Sequence, residues 1–271
     1  MIADFLDNYR PGGPFVLTAI VPDGKTETRT FTDSKEAEAW AVRQNENKNI
    51  YFHVNRTRGP LTAKAKKEDI AAVEYLHVDI DPRTGEDFEQ ERARILRLLT
   101  TELPKGVPAP SLVIDSGGGF QAFWRLAEPL NIDGDTDKAH EAERYNRALE
   151  LAFGADSCHD VSRIMRTPGT MNWPNKKKRD KGREPREAEV YSRTGATYPL
   201  TAFKPAPAVN TKPRAATGKA SAPVPLGEGM GMGTEELLAW AKANGKTLKE
   251  STLARIATGE DPLDPAKYPS R

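Results

Sequence analysis

Three short segments carry residues whose types and spacing could do chemistry. The sharpest is His77-Val78-Asp79-Ile80-Asp81. On a strand, side chains alternate between faces, so Asp79 and Asp81 point the same way with Ile80 behind them. Two carboxylates on one face repel each other and raise at least one pKa unless a cation lies between them. Hard divalent ions, Mg²⁺ or Mn²⁺, suit such a pair. The pair alone does not decide the matter, because two acids at a solvated strand end read the same way.

The second segment is Asp115-Ser116-Gly117-Gly118-Gly119-Phe120-Gln121. Its glycines let backbone N–H groups converge on an anion, or simply make a tight hairpin. It is not a P-loop, since no Gly-Lys-Ser/Thr follows in register. The third segment runs Asp160-Val161-Ser162-Arg163-Ile164-Met165-Arg166-Thr167-Pro168-Gly169-Thr170-Met171-Asn172. Arginines at that spacing can share a face and grip a polyphosphate in fork geometry, and a nearby acid could complete a metal site. A charged helix end followed by a turn is the plainer alternative. Next come Trp173, Lys176, Lys177, Lys178 and Arg179, then Lys181, Arg183 and Arg186. Such a run can follow a phosphate backbone, with Trp173 stacking on a base, or it can be a solvated loop.

The elements that must position these groups alternate in type. Pro14–Val21 and Thr26–Phe31 read as a strand pair around a Pro-Asp-Gly-Lys turn. Asp33 can cap a helix through Gln44. Ile50–Val54 and Val73–Ile80 read as strands, the latter stopped by Pro82. Phe88–Leu99 reads as a helix with Phe88, Ile95 and Leu99 on one face. Leu112–Ile114 and Phe120–Leu126 flank the glycine turn. Thr136–Phe153 is amphipathic, with Ala142, Tyr145, Leu149 and Phe153 aligned. Glu189–Ser192 is a last short strand. The expected fold is α+β, a mixed or antiparallel sheet with packed helices.

Taken together and in this order, HVDID, DSGGGFQAFW and DVSRIMRTPGTMN resemble the archaeo-eukaryotic primase superfamily. The likeness is to the primase-polymerases of phages and plasmids, including the replication-protein-B type, and runs from about residue 10 to 203. It implies an RRM-like half joined to an N-terminal α/β unit. It implies Asp79 and Asp81 as ligands of two catalytic metals, with Asp160 as the third carboxylate and Asp156 as the second choice for that role. Arg163 and Arg166 would hold the triphosphate, and Ser116, Gly117, Gly118 and Gly119 would shape the nucleotide pocket. Asn172 and a lysine such as Lys176 would finish the phosphate side. Trp173, Lys177, Lys178 and Arg179 would meet the nucleic acid. Many members carry histidine where this chain has Gln121, which can donate a hydrogen bond but carries no charge.

The activity so implied is template-directed nucleotidyl transfer from NTPs or dNTPs on single-stranded DNA, in phage or plasmid replication. One rival is a degenerate primase module that binds an origin or single-stranded DNA without chemistry. Another is a metal-dependent nuclease using the same acids. No Walker motif occurs, so unwinding would fall to a separate helicase.

Bulk properties agree. The chain has 271 residues, with 40 Lys and Arg against 39 Asp and Glu, so any nucleic-acid surface must arise by local clustering. The single cysteine, Cys158, excludes an internal disulfide framework and suggests a cytoplasmic, reducing setting. The opening MIADFLDNYRPGGPF lacks the pattern of a secretory signal, and no apolar run of membrane-spanning length occurs, so no membrane partner is expected. His53, His77 and Cys158-His159 read as packing residues. Expected organisation is a catalytic domain at 1–203, a Pro/Ala/Gly-rich linker at 204–233 and a helical segment at 234–271, after which more helix would be expected.

Overall fold

The structure is a computed structural model that describes residues 1–208. These residues fall within one compact unit, Met1–Asn210. The helices expected at 235–243 and 248–256 lie outside the described residues, as does most of the linker.

The chain opens with α1 (Ile2–Tyr9), then β1 (Phe15–Ile20), β2 (Thr26–Phe31), α2 (Ser34–Gln44), β3 (Asn49–His53) and β4 (Arg56–Thr57). The long β5 (Ile70–Ile80) leads to α3 (Phe88–Thr100), β6 (Leu112–Asp115), β7 (Phe120–Asn131) and α4 (Thr136–Phe153). Short elements finish it: β8 (Ile164–Arg166), β9 (Thr170–Asn172), α5 (Lys176–Arg179), β10 (Arg186–Arg193) and β11 (Thr197–Tyr198).

Two sheets form. The smaller has the order β2-β1-β3-β8 and the larger β4-β5-β7-β6-β10-β9, with β11 pairing alongside β7. Neighbouring strands are antiparallel except β11, which runs parallel to β7. The alternation of β5 explains the layering. Tyr75 faces the core shared with α1, α2 and the small sheet, while Leu76, Val78 and Ile80 face the core built with α3 and α4. His77 and Asp79 share the face of Tyr75 by the same alternation.

The helices begin where acid side chains can accept free N–H groups. Asp33, Asp87 and Asp135 cap α2, α3 and α4, accepting from Glu36, Gln90, and Asp137 with Lys138. α4 ends on Gly154 at φ 61°, a left-handed cap that turns the chain back under the end of β5.

Sequence reading missed α1, although Ile2, Phe5, Leu6 and Tyr9 are all buried at helical spacing. The plainer alternative for Asp160–Asn172, a charged helix end, is not what forms: Ile164–Arg166 and Thr170–Asn172 are strands. Three-residue strands are too short for alternation to reveal; their pairing partners, β3 and β10, make them.

Candidate active site

The end of β5 is where the loop after α4 comes back. Asp156 donates its N–H to the Asp79 carbonyl at 2.9 Å. Its carboxylate Oδ2 accepts the Asp81 N–H at 3.0 Å. The loop is pinned on either side of this contact. The Cys158 N–H donates to the Glu150 carboxylate, and Val161 N–H to Glu143 at 3.2 Å. Asn146 donates to the His159 carbonyl at 3.2 Å. His77 is fully buried and its Nε2 meets the Cys158 carbonyl at 2.9 Å, with its pKa pushed down to about 4 mainly by burial. Cys158 is equally closed in, its thiol pushed up to about 12 by burial. Both are packing residues, as is His53.

Asp156 is thus bonded to the backbone of the strand end that carries Asp79 and Asp81. Burial, then the charges of Asp81 and Asp156, push the Asp79 carboxyl up to about 7, and a hydrogen bond from Gln121 works against them. Gln121 stands directly opposite Asp79 in the β5–β7 ladder. Its Oε1 accepts the Arg166 N–H at 3.0 Å, so it ties the large sheet to the small one.

Asp160 is engaged by its own loop. It pairs with Arg163 at 2.6 Å and accepts from the Ser162 hydroxyl at 3.2 Å. Of the two candidates for the third carboxylate, Asp156 is the one brought against Asp79 and Asp81. The two arginines also part company. Arg163 lies at the turn before β8 and Arg166 at the end of that strand. Arg163 donates to the carbonyls of Ser157 and Cys158, both at 3.1 Å, and so braces the loop. Arg166 instead is buried, its Nη2 donating to Tyr51 Oη at 3.0 Å and to Asn172 Oδ1 at 2.9 Å. Its guanidinium lies 4.3 Å from the Tyr51 ring centroid. Among the described residues its Nη1 has no partner and no carboxylate pairs with it. Burial pulls its pKa down, while Asp79 and Asp81 pull the other way.

The glycine turn is a self-contained hairpin. Gly117 N–H donates to Asp115 at 2.8 Å, and Gly118 and Gly119 N–H donate to Ser116 Oγ at 3.3 and 3.0 Å. Those donors are spent, so the turn shapes the site through space and not by gathering an anion. Gly119 must be glycine: a Cβ there would lie 2.1 Å from the Ile80 carbonyl oxygen. Gly118 borders a cleft of about 240 Å³ that Asp81, Asn172 and Lys178 also line.

Across that cleft, Lys178 Nζ stands 3.4 Å from Asp81 Oδ2. α5 carries it there, begun by the Asn175 side chain and anchored by Lys176 N–H on Asp23 at 2.9 Å. Lys176 and Lys177 are exposed, and Arg179 donates to the Pro174 carbonyl at 2.8 Å. Trp173 spends its indole N–H on the Asn45 carbonyl at 2.7 Å, a packing role on the small-sheet side. Sequence reading placed Phe88 on the buried face of α3. It is half-buried on the cleft wall, with the Arg183 guanidinium 3.3 Å from its ring centroid. Among the described residues no three acidic, His or Cys side chains are already drawn into a metal cage. No described helix is long and apolar enough to cross a membrane.

Residues 24–199 match the RepB DNA-primase N-terminal domain. The chain belongs to that family. It is 29% identical over 158 residues to a replication protein of Clostridium perfringens, covering 55% of this chain and 37% of that protein. The chain thus spans well under half the length of this curated relative. Among solved structures, the primase-polymerase catalytic domain of cyanophage S-2L superposes with a TM-score of 0.51 at 17% identity, over 73% of this chain and 91% of that one. The primase RepB′ gives 0.46 at 15% identity, over 72% of this chain and 57% of that one. The α+β fold expected from the sequence, antiparallel sheets with packed helices, is the observed one, and it is the fold of the cyanophage domain.

Proposed function

We propose that this member of the RepB primase family is a DNA primase-polymerase, joining nucleotides on a single-stranded template. The observation that carries the reading is the convergence of Asp79, Asp81 and Asp156 beside a buried Arg166 that has a free donor. Burial first, and then the charges of Asp81 and Asp156, lift Asp79 to about 7, a site that a cation would relieve, and Lys178 already leans on Asp81. That chemistry fits Mg²⁺ or Mn²⁺ held by Asp79, Asp81 and Asp156. Bound there, such ions supply acidity to the attacking hydroxyl and neutralise charge on the triphosphate and leaving pyrophosphate.

The chain's own residues supply the positioning. Arg166, held by Tyr51 and Asn172, offers its unpaired Nη1 to a phosphate oxygen, and burial strengthens that contact. Gln121 links Arg166 to the strand facing Asp79, its Oε1 accepting the Arg166 N–H from a position directly opposite Asp79 in the ladder. Lys178 is free to pass from Asp81 to the phosphates of a nucleotide or template, with Lys176 and Lys177 exposed beside it. Arg163 and Asp160 act on the loop that presents Asp156. A replicative helicase on a separate chain belongs to the same reading.

The test is dinucleotide and primer synthesis on single-stranded DNA with Mg²⁺ or Mn²⁺, using each nucleotide type. Asp79→Ala with Asp81→Ala should abolish product. Undiminished synthesis by that variant refutes the reading. A wild-type chain that binds template yet makes no product from any nucleotide would favour the non-catalytic module.

A further inference from the structure

Among the described residues, Phe88 is the one aromatic side chain lining the cleft beside Asp81. It opens α3 and is only half-buried, while Ile95 and Leu99 on the same helix are closed into the core. Gly118, Asn172 and Lys178 wall the same cleft. A nucleotide with its phosphates at Asp81 and Lys178 would therefore share a cavity with this ring.

Arg183 covers the ring. Its guanidinium carbon lies 3.3 Å from the ring centroid, a separation possible only over the flat face. The neighbouring cations are committed elsewhere. Arg186 donates to Glu89 at 2.9 Å and Arg92 to Asp115 at 3.1 Å. Both stand farther from the ring, at 5.5 and 5.6 Å from its centroid. Arg183 differs. Among the described residues its guanidinium has no hydrogen bond and no ion pair, and the Phe88 face is what holds it. Burial pulls its pKa down, Asp81 opposes that, and Arg92 and Arg186 add to it. Its backbone is fixed, with the N–H donating to the Lys178 carbonyl at 3.1 Å, after Gly182 turns the chain at φ 76°. The side chain can therefore swing off the ring without moving the loop.

A cation over a partly exposed ring is held weakly. A nucleobase offers a larger flat face, and an aromatic platform accepts every base because each has a π face. We propose that Phe88 is the base-stacking platform of this cleft: Arg183 occupies it in the nucleotide-free protein, and a nucleobase displaces Arg183 and takes its place. The proposal rests on the reading of this cleft as a nucleotide site. The base belongs to an incoming nucleotide or to the template strand, and both present the same face to the ring.

The test uses the full chain carrying Phe88→Leu, Phe88→Trp or Arg183→Gln, with melting temperature as the folding control. Two affinity ratios isolate the base. The first compares dATP with inorganic tripolyphosphate, both with Mg²⁺. The second compares a short labelled oligothymidylate with an abasic strand of the same length. Phe88→Leu keeps apolar bulk without a π face and should lower one ratio about fivefold or more. Phe88→Trp should keep that ratio, and Arg183→Gln, which uncovers the ring, should raise it. A fall in the first ratio assigns the platform to the incoming nucleotide, and a fall in the second assigns it to a template base. Both ratios unmoved by Phe88→Leu overturn the proposal, and a ratio that Arg183→Gln fails to raise overturns the displacement. None of these measurements needs synthesis. A wild type that makes no product yet shows the Phe88 effect strikes the polymerase reading alone. Product from the wild type with both ratios unmoved strikes the platform alone.

Discussion

Asp156 and Asp81 are joined through the backbone: the Asp156 carboxylate accepts the Asp81 N–H at 3.0 Å. With the Asp156 N–H on the Asp79 carbonyl at 2.9 Å, the loop acid becomes an extension of the strand end. Asp156→Asn keeps an acceptor for that N–H and removes only charge. Removing one preorganised electrostatic group should cost dinucleotide synthesis roughly 100-fold or more. Asp160→Asn should leave synthesis within a few-fold and lower stability by about 0.2–1 kcal/mol, the worth of a partly exposed ion pair. An inactive Asp160→Asn beside an active Asp156→Asn would reverse the assignment.

The burial of Asp79 beside two other acids has a signature in pH. Its folded pKa, about 7, lies above the ordinary 3.8, so the fold favours the neutral acid. The corresponding stability is fully present below about pH 3.8 and is lost as pH rises through about 7. Over that window the metal-free protein should lose melting temperature relative to its Asp79→Asn variant. Mn²⁺ binding should tighten over the same range and release a proton near pH 6, because the ligand must be ionised. Calorimetry in buffers of different ionisation heat reads that proton. A wild type that binds Mn²⁺ with no proton release there would contradict the raised value.

Much of this arrangement was legible in the sequence because it is local. Alternation along Val73–Ile80 put Asp79 and Asp81 on one side, and Asp33 stands where a helix begins. What could not be read was long-range. Choosing Asp156 over Asp160 depends on how Gly154 turns the chain beneath β5 and on Arg163 bracing the loop, neither of which leaves a periodic pattern. Where Arg166 reaches follows from β8 pairing with β3, more than a hundred residues earlier, which local spacing does not carry. Phe88 sits at helical spacing with Ile95, yet it packs under Arg183, contributed by a distant loop.

Two neighbouring glycines should respond very differently to the same substitution. A methyl at Gly119 would meet the Ile80 carbonyl at 2.1 Å and Asp81 Cα at 2.9 Å, so β5 and β7 must part at the acids. Gly119→Ala should destabilise by about 1–3 kcal/mol or more, as overpacking does, visible as a lower melting temperature or insoluble protein. At Gly118 the nearest atoms would be 3.7 Å away, in ordinary contact. Gly118→Ala should melt like the wild type, and any loss of activity would then report crowding of the cleft. Equal melting temperatures for both variants would show that β5 and β7 are not closely apposed there.

The two arginines of the third motif should separate binding from stability. Arg166 is a buried cation with no carboxylate partner among the described residues, so in the absence of nucleotide it costs desolvation that its contacts to Tyr51 and Asn172 offset only in part. Arg166→Met should leave the nucleotide-free protein as stable as the wild type or more so, while weakening nucleotide binding. Loss of a charge-assisted contact worth about 1.5–3 kcal/mol corresponds to roughly 10- to 150-fold in Kd. Arg163→Met should do the reverse, lowering melting temperature through the freed Ser157 and Cys158 carbonyls while leaving nucleotide affinity within a few-fold. Thermal melts with and without nucleotide, alongside direct titration, read both effects. If Arg163→Met lost nucleotide binding without destabilisation, the bracing role assigned to it would be wrong and both arginines would belong to the triphosphate grip.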